Sequence, residues 1–188
     1  MRIGILGGTF NPVHIGHLIL AEETREKLVL DRVIFMPTNI APHKDNQDVA
    51  SSCDRYKMLK LAIKTNRYFS VSDIEIRRRG SSYTIDSLRE FKNIYPSDEL
   101  YFIVGSDLLK YLDDWKDLSD IIKMVKFIVA TRPGYPLEKI PAYIKTIAIR
   151  AVDISAFEIR QAVKSHISFR YLVPEAVHNY ILKRKLYA

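Results

Sequence analysis

Short β-rich runs stand at positions 2–6, 32–36, 69–74, 100–104 and 127–130, with a further run at 147–151, and all but 69–74 are nearly unbroken stretches of apolar residues. Runs this short predict strands covered on both faces, the pattern of a parallel sheet. Between them, positions 17–28, 54–64, 85–95 and 118–124 carry apolar residues at helical spacing with charges on the opposite side. Alternating strands and helices predict a doubly wound, Rossmann-like α/β fold, with crossover helices on both faces of one parallel sheet. Two more helices are predicted C-terminally, at 156–164 and 174–184, the second opening on Pro174, whose missing N–H costs nothing at a first turn. No repeat, low-complexity stretch or Ser/Gly linker divides the chain, so residues 1–188 are expected to form a single domain. The longest predicted loops are 38–52, 77–83 and 132–141. The first two directly follow strand ends, where open α/β sheets bind their ligands.

Composition narrows the class. With 188 residues, 47% of them hydrophobic, the chain can bury roughly two thirds of its unfolded surface. Cys53 is the only cysteine, which excludes an internal disulfide framework and fits a reducing compartment; it reads as a small buried or neutral side chain. The N-terminus runs from Met1 straight into the first apolar run, without the charged region and cleavage site of a signal peptide. No apolar stretch reaches membrane length. A cytoplasmic location without membrane attachment is therefore expected.

The net charge of +7 and pI near 9.4 suit an anionic partner: nucleic acid, a membrane surface or a phosphorylated small molecule. Nucleic acid is disfavoured, because no RNP, KH or helix-turn-helix pattern is present and the aromatics are not interleaved with a basic stripe.

The first strand runs into Gly7-Gly8-Thr9-Phe10-Asn11-Pro12-Val13-His14-Ile15-Gly16-His17. A strand, a Gly-rich loop and a helix start offer backbone N–H groups and a positive dipole end to an anion. The glycines do not give G-x-G-x-x-G, and no Gly-Lys-Ser/Thr ending makes a Walker A loop. His14 and His17 stand three apart, so their imidazoles meet on one face of the first turn. Two such donors suit a polyphosphate whose oxygens gain charge in a transition state. Zinc is the weaker alternative, as no third ligand lies nearby, and no protein metal site is assigned.

The His14-Ile15-Gly16-His17 run resembles the H-x-G-H signature of the nucleotidyltransferase superfamily, shared with class I aminoacyl-tRNA synthetases. Further motifs are similar to those of bacterial nicotinate mononucleotide adenylyltransferases: Pro42-His43-Lys44, Ser82-Tyr83-Thr84-Ile85-Asp86-Ser87-Leu88, Gly105-Ser106-Asp107 with Trp115, and Thr131-Arg132-Pro133-Gly134-Tyr135. The resemblance spans residues 3–187. It implies ATP and nicotinate mononucleotide as partners, with His14, His17, Lys44 and Arg160 as the catalytic groups. Gly7, Gly8, Thr9, Phe10, His14, Gly16, His17, Gly105, Asp107, Ser155 and Arg160 are implied around ATP, and Lys44, Thr84, Trp115 and Arg132 around the mononucleotide. Magnesium is expected with the ATP phosphates, and a homo-oligomer stays open. Adenylyltransferases for 4′-phosphopantetheine share the H-x-G-H loop, but the Ser82–Leu88 segment, Trp115 and the Thr131–Tyr135 turn tell against them.

Structural alternatives stand beside several of these roles. Ser155 and Glu158 form an S-x-x-E capping box. Thr84 fits an N-cap, as does Asp107, and Trp115 fits packing between two helices. Residues 77–79, three arginines in a row, read as a solvated face. In one place the chain departs from the family: Phe157 stands where the pattern I-S-S/A-T-x-I-R has threonine, which removes one hydroxyl expected near a phosphate.

Overall fold

The computed structural model describes residues 1–40, 48–131, 140–150 and 152–188. Six parallel strands form one sheet in the order β3-β2-β1-β4-β5-β6: β1 (Arg2–Gly8), β2 (Arg32–Pro37), β3 (Phe69–Val71), β4 (Glu99–Gly105), β5 (Lys126–Thr131) and β6 (Ile144–Ala148). The helices are α1 (Ile15–Lys27), α2 (Ser52–Ala62), α3 (Ile74–Arg78), α4 (Thr84–Ile94), α5 (Leu118–Met124), α6 (Ala156–Lys164) and α7 (Glu175–Arg184), with a 3-10 helix at Ser106–Asp114. This is the expected doubly wound sheet.

The apolar runs are continuous because each strand feeds two cores. Ile3 and Ile5 of β1, Ile34 and Met36 of β2, and Phe102 and Val104 of β4 point to one face, where Ile85, Leu88 and Phe91 of α4 and Ile121 of α5 cover them. Leu6, Val33, Phe35, Tyr101 and Ile103 point to the other, against α1, α2, α6 and α7. The two-residue period of a strand accounts for this sorting. Each such side chain, removed fully from water, contributes about 1.5–3 kcal/mol. Gly4 is needed for close packing, since a Cβ there would stand 2.8 Å from Leu30 Cδ1 and 2.9 Å from Ile103 Cδ1.

Some elements differ from expectation. Ile74 does not extend β3 but opens α3, where its side chain is buried in the α4 core. β6 starts at Ile144, earlier than the predicted run, because exposed Lys145 and half-buried Thr146 break the apolar continuity after it. Cys53 is exposed on α2 rather than buried. Glu23 of α1 is 6% exposed and ties the chain beyond β6 to α1. Hydrogen bonds from the Arg150 side chain and backbone, aided by Lys27, hold its carboxyl down at about 2 despite desolvation.

The chain reverses direction across the sheet between β1 and β4. β1 pairs with β2 on one side and with β4 on the other, so the crossovers diverge there. A crevice opens beyond their C-terminal ends.

Candidate active site

β1 ends at Gly8, and the loop beyond it leads into α1, whose N-cap is His14 with extended backbone. The His14 and His17 rings lie 3.6 Å apart, centroid to centroid, inclined by 33°. The His14 N–H donates to His17 Nδ1 at 3.2 Å. An Nδ1 that accepts places the proton of a neutral ring on Nε2, so His17 presents an Nε2–H donor. The first turn of α1 holds no acidic residue, and although the Ile15 and His17 N–H groups donate to the Leu172 and His14 carbonyls, the positive end of the helix dipole faces an anion without a competing carboxylate.

Phe10 adopts φ 49°, a left-handed conformation that costs a non-glycine residue of order 1–3 kcal/mol. Burial secures it: the ring is 3% exposed, packs edge-on to His17 at 5.0 Å and meets Phe35 at 5.8 Å. At Gly16 a Cβ would stand 3.1 Å from His14 Nδ1, so a side chain there would press the His14 ring out of place by a few tenths of an ångström.

A brace beneath the loop was not anticipated from the sequence. Arg55 of α2 is 1% exposed and donates to the Thr9 carbonyl at 2.7 Å. Asn11 Oδ1 accepts from the Ala50 N–H at 3.0 Å and the Tyr187 hydroxyl at 2.7 Å. Its Nδ2 donates to the Asp48 carbonyl at 3.0 Å. Burial pushes the Tyr187 phenol well up, keeping it a donor. Arg160 Nη1 donates to the Asn11 carbonyl at 2.9 Å, and its guanidinium lies 5.7 Å from the Phe157 ring centroid. Arg160 therefore stands beside the loop with its other N–H groups available to a ligand.

At the start of α6 the expected capping box forms, with Ser155 Oγ accepting from the Glu158 N–H at 3.1 Å and Glu158 Oε2 accepting from the Ser155 N–H at 3.3 Å. Phe157 is 60% exposed on the same first turn.

Past the ends of β1, β2 and β4 lies a cleft of about 970 Å³, open mouth included, lined by Gly7, Gly8, Thr9, Tyr83, Thr84, Tyr111, Trp115 and Lys116 among others. Thr84 is not an N-cap, because Tyr83 holds that position and Thr84 is the first helical residue of α4. Its hydroxyl is thus not committed to capping, and the α4 N-terminus opens where Thr84 lines the cleft. Trp115 lines this cleft and packs on the sheet, 6.0 Å from Phe102 of β4 and 5.8 Å from Phe127 of β5, rather than between two helices. Lys116 Nζ sits 4.9 Å over the Tyr83 ring.

Glu75 of α3 also lines the cleft wall, 3% exposed. Desolvation raises its carboxyl above the usual range, against hydrogen bonds from Ser87 and Ser82. Ser87 Oγ donates to Glu75 Oε1 at 2.7 Å and accepts from Arg78 at 2.9 Å. The arginine run is accordingly not one solvated face. Arg78 turns inward under α4, while Arg77 pairs with Asp73 at 2.8 Å on the surface.

Gly105 closes β4, and Asp107 lies in the 3-10 helix that follows, its side chain outside the described part of the structure. Lys44 and Arg132 also lie outside the described residues. Among the described residues no group of three or more His, Cys, Asp or Glu could hold a metal ion, and no helix is long and apolar enough to cross a membrane.

Kinship agrees with this geometry. The chain matches the cytidylyltransferase-like family over residues 5–162. It is 44% identical over 197 residues to a probable nicotinate-nucleotide adenylyltransferase of Desulfitobacterium hafniense (strain Y51), covering 99% of this chain and 95% of that one. A protein of the same description from Geobacillus thermodenitrificans (strain NG80-2) is 41% identical over 186 residues, covering 99% and 86%. In fold, the chain is similar to Plasmodium falciparum nicotinic acid mononucleotide adenylyltransferase complexed with NaAD, with a TM-score of 0.82 at 19% identity, covering 99% and 97%. Matched by this family over residues 5–162 and by these relatives over nearly its whole length, the chain belongs to the nicotinate-nucleotide adenylyltransferases of the cytidylyltransferase-like family.

Proposed function

We propose that this protein joins ATP and nicotinate mononucleotide into nicotinate adenine dinucleotide and pyrophosphate by direct attack. A phosphate oxygen of the mononucleotide forms a bond to the α-phosphorus, the bond from that phosphorus to the bridging oxygen breaks, and its electron pair leaves with pyrophosphate. The observation that carries this reading is the His14–His17 pair, at the opening of α1, beside the cleft that reaches Thr84 and Trp115.

The nucleophile is already anionic near neutral pH, so no strong base is required. The work falls to positioning and to neutralising charge on the phosphates. His17 Nε2–H, the α1 N-terminus and Arg160 supply donors; Lys44 and Arg132 are expected to add cations. The α4 N-terminus at Thr84 favours the nicotinate carboxylate over an uncharged amide, and Trp115 stacks on the cationic pyridine ring.

The signature loop offers N–H and imidazole donors, which fit phosphate oxygens rather than a cation. Magnesium is therefore expected on the ATP phosphates and water, where it neutralises charge. The charge of +7 serves these anionic substrates, and a cytoplasmic location suits the lone cysteine.

Incubating the protein with ATP labelled at the α-phosphorus and nicotinate mononucleotide tests the direct route. All label is expected in the dinucleotide, and label retained covalently on the denatured protein would overturn it. Phe157→Thr restores a hydroxyl on the first turn of α6 and is expected to lower the apparent KM for ATP severalfold; an unchanged or higher KM contradicts a phosphate contact there.

A further inference from the structure

Arg55 has the burial of a core residue and the chemistry of a charge. It is 1% exposed, and desolvation pulls its pKa downward. If volume alone were needed, an apolar side chain would serve at lower cost. What the guanidinium supplies is a rigid fork of donors. Nη1 donates to the Thr9 carbonyl at 2.7 Å, Nη2 to the Asn39 carbonyl at 3.0 Å and Nε to the Ala50 carbonyl at 3.0 Å. These acceptors belong to different stretches: the signature loop after β1, the segment after β2, and the residues entering α2.

The Asn39 contact continues toward the mononucleotide side of the cleft. Asn39 N–H donates to Ser82 Oγ at 3.0 Å, Asn39 Nδ2 donates to the Gly80 carbonyl at 3.1 Å, and the Ser82 N–H donates to the Ile40 carbonyl at 3.0 Å. Ser82 directly precedes Tyr83 and Thr84, which open α4 and line the cleft. On the other arm, a trans peptide sets the Thr9 carbonyl and the Phe10 N–H in opposite directions. Gripping that carbonyl from below fixes the N–H pointing away from Arg55. One side chain thus holds the loop assigned to ATP and, through Asn39 and Ser82, the helix start assigned to the mononucleotide.

Resting on the function proposed above, we propose that Arg55 is a positioning residue that sets the two halves of the substrate site against each other. Shortening the fork then loosens both halves at once. A merely structural buried side chain would lower stability without altering the substrate dependence of the folded fraction.

The test uses the full chain with Arg55→Lys, which keeps the charge and loses the fork, and Ser82→Ala, which removes the Asn39–Ser82 bond of the arm to α4 along with the Ser82 bond to Glu75 and leaves the Arg55 fork intact. Kinetic constants for both substrates, melting temperature and backbone amide exchange without ligand are compared with wild type. Arg55→Lys is expected to raise both apparent KM values and lower kcat, together about tenfold or more in kcat/KM, with faster exchange at Phe10 and in residues 38–40. Ser82→Ala is expected to raise only the mononucleotide KM. Wild-type kinetic constants in folded Arg55→Lys, with loss confined to melting temperature, overturn the proposal. If Arg55→Lys does not fold, Ser82→Ala decides: an unchanged mononucleotide KM overturns it. Should the wild-type protein itself show no turnover, the proposed reaction fails, and exchange that rises at only one of the two segments would separately refute the role of Arg55.

Discussion

Replacing His17 with alanine is expected to lower kcat by about a hundred- to a thousandfold, the usual cost of one preorganised donor to developing charge, while the apparent KM for ATP stays within a few fold. His17 Nδ1 accepts from the His14 N–H, which fixes the ring and places the proton of its neutral form on Nε2. A donor held this way needs no reorganisation when charge builds on the phosphate oxygens. The ground-state triphosphate already has the α1 N-terminus and Arg160, and so binds nearly as well without it. His17→Asn, which restores an N–H of shorter reach, is expected to recover part of the rate. A loss confined to KM, with kcat unchanged, would mean that His17 holds ATP equally in ground and transition states.

Trp115→Ala is expected to raise the apparent KM for nicotinate mononucleotide by roughly five- to thirtyfold, the equivalent of about 1–2 kcal/mol of stacking and cation–π contact. The KM for ATP should stay near its wild-type value. The same substitution removes packing on Phe102 and Phe127, so the melting temperature should fall as well. Trp115→Phe separates the effects, because a smaller ring keeps much of the stacking while still leaving space beside those phenylalanines. Equal losses for both substrates in Trp115→Ala would assign the residue to the core alone.

What the sequence made legible follows from how each feature is encoded. The central strands were readable because both faces are buried, so Ile3 to Leu6 and Leu100 to Val104 are apolar without interruption. β6 was placed late because its polar Lys145 and half-buried Thr146 break that signal. α3 is too short to show a helical period. The histidine pair was readable because spacing within one turn dictates proximity, and the structure sets the rings 3.6 Å apart. Thr84 missed the N-cap by one residue because Tyr83, no common capping residue, adopts the extended conformation there. Arg55 could not be seen at all. A charge on a predicted amphipathic helix is assigned to solvent, and nothing local in the sequence says that backbone carbonyls from distant stretches converge on it.

The most direct test of the central claim is pyrophosphate release from ATP and magnesium with nicotinate mononucleotide, nicotinamide mononucleotide and 4′-phosphopantetheine as competing choices of acceptor. Release with the nicotinate form, at a kcat/KM well above that for the amide, is the predicted result. Release only with 4′-phosphopantetheine, or none with any acceptor, would contradict it.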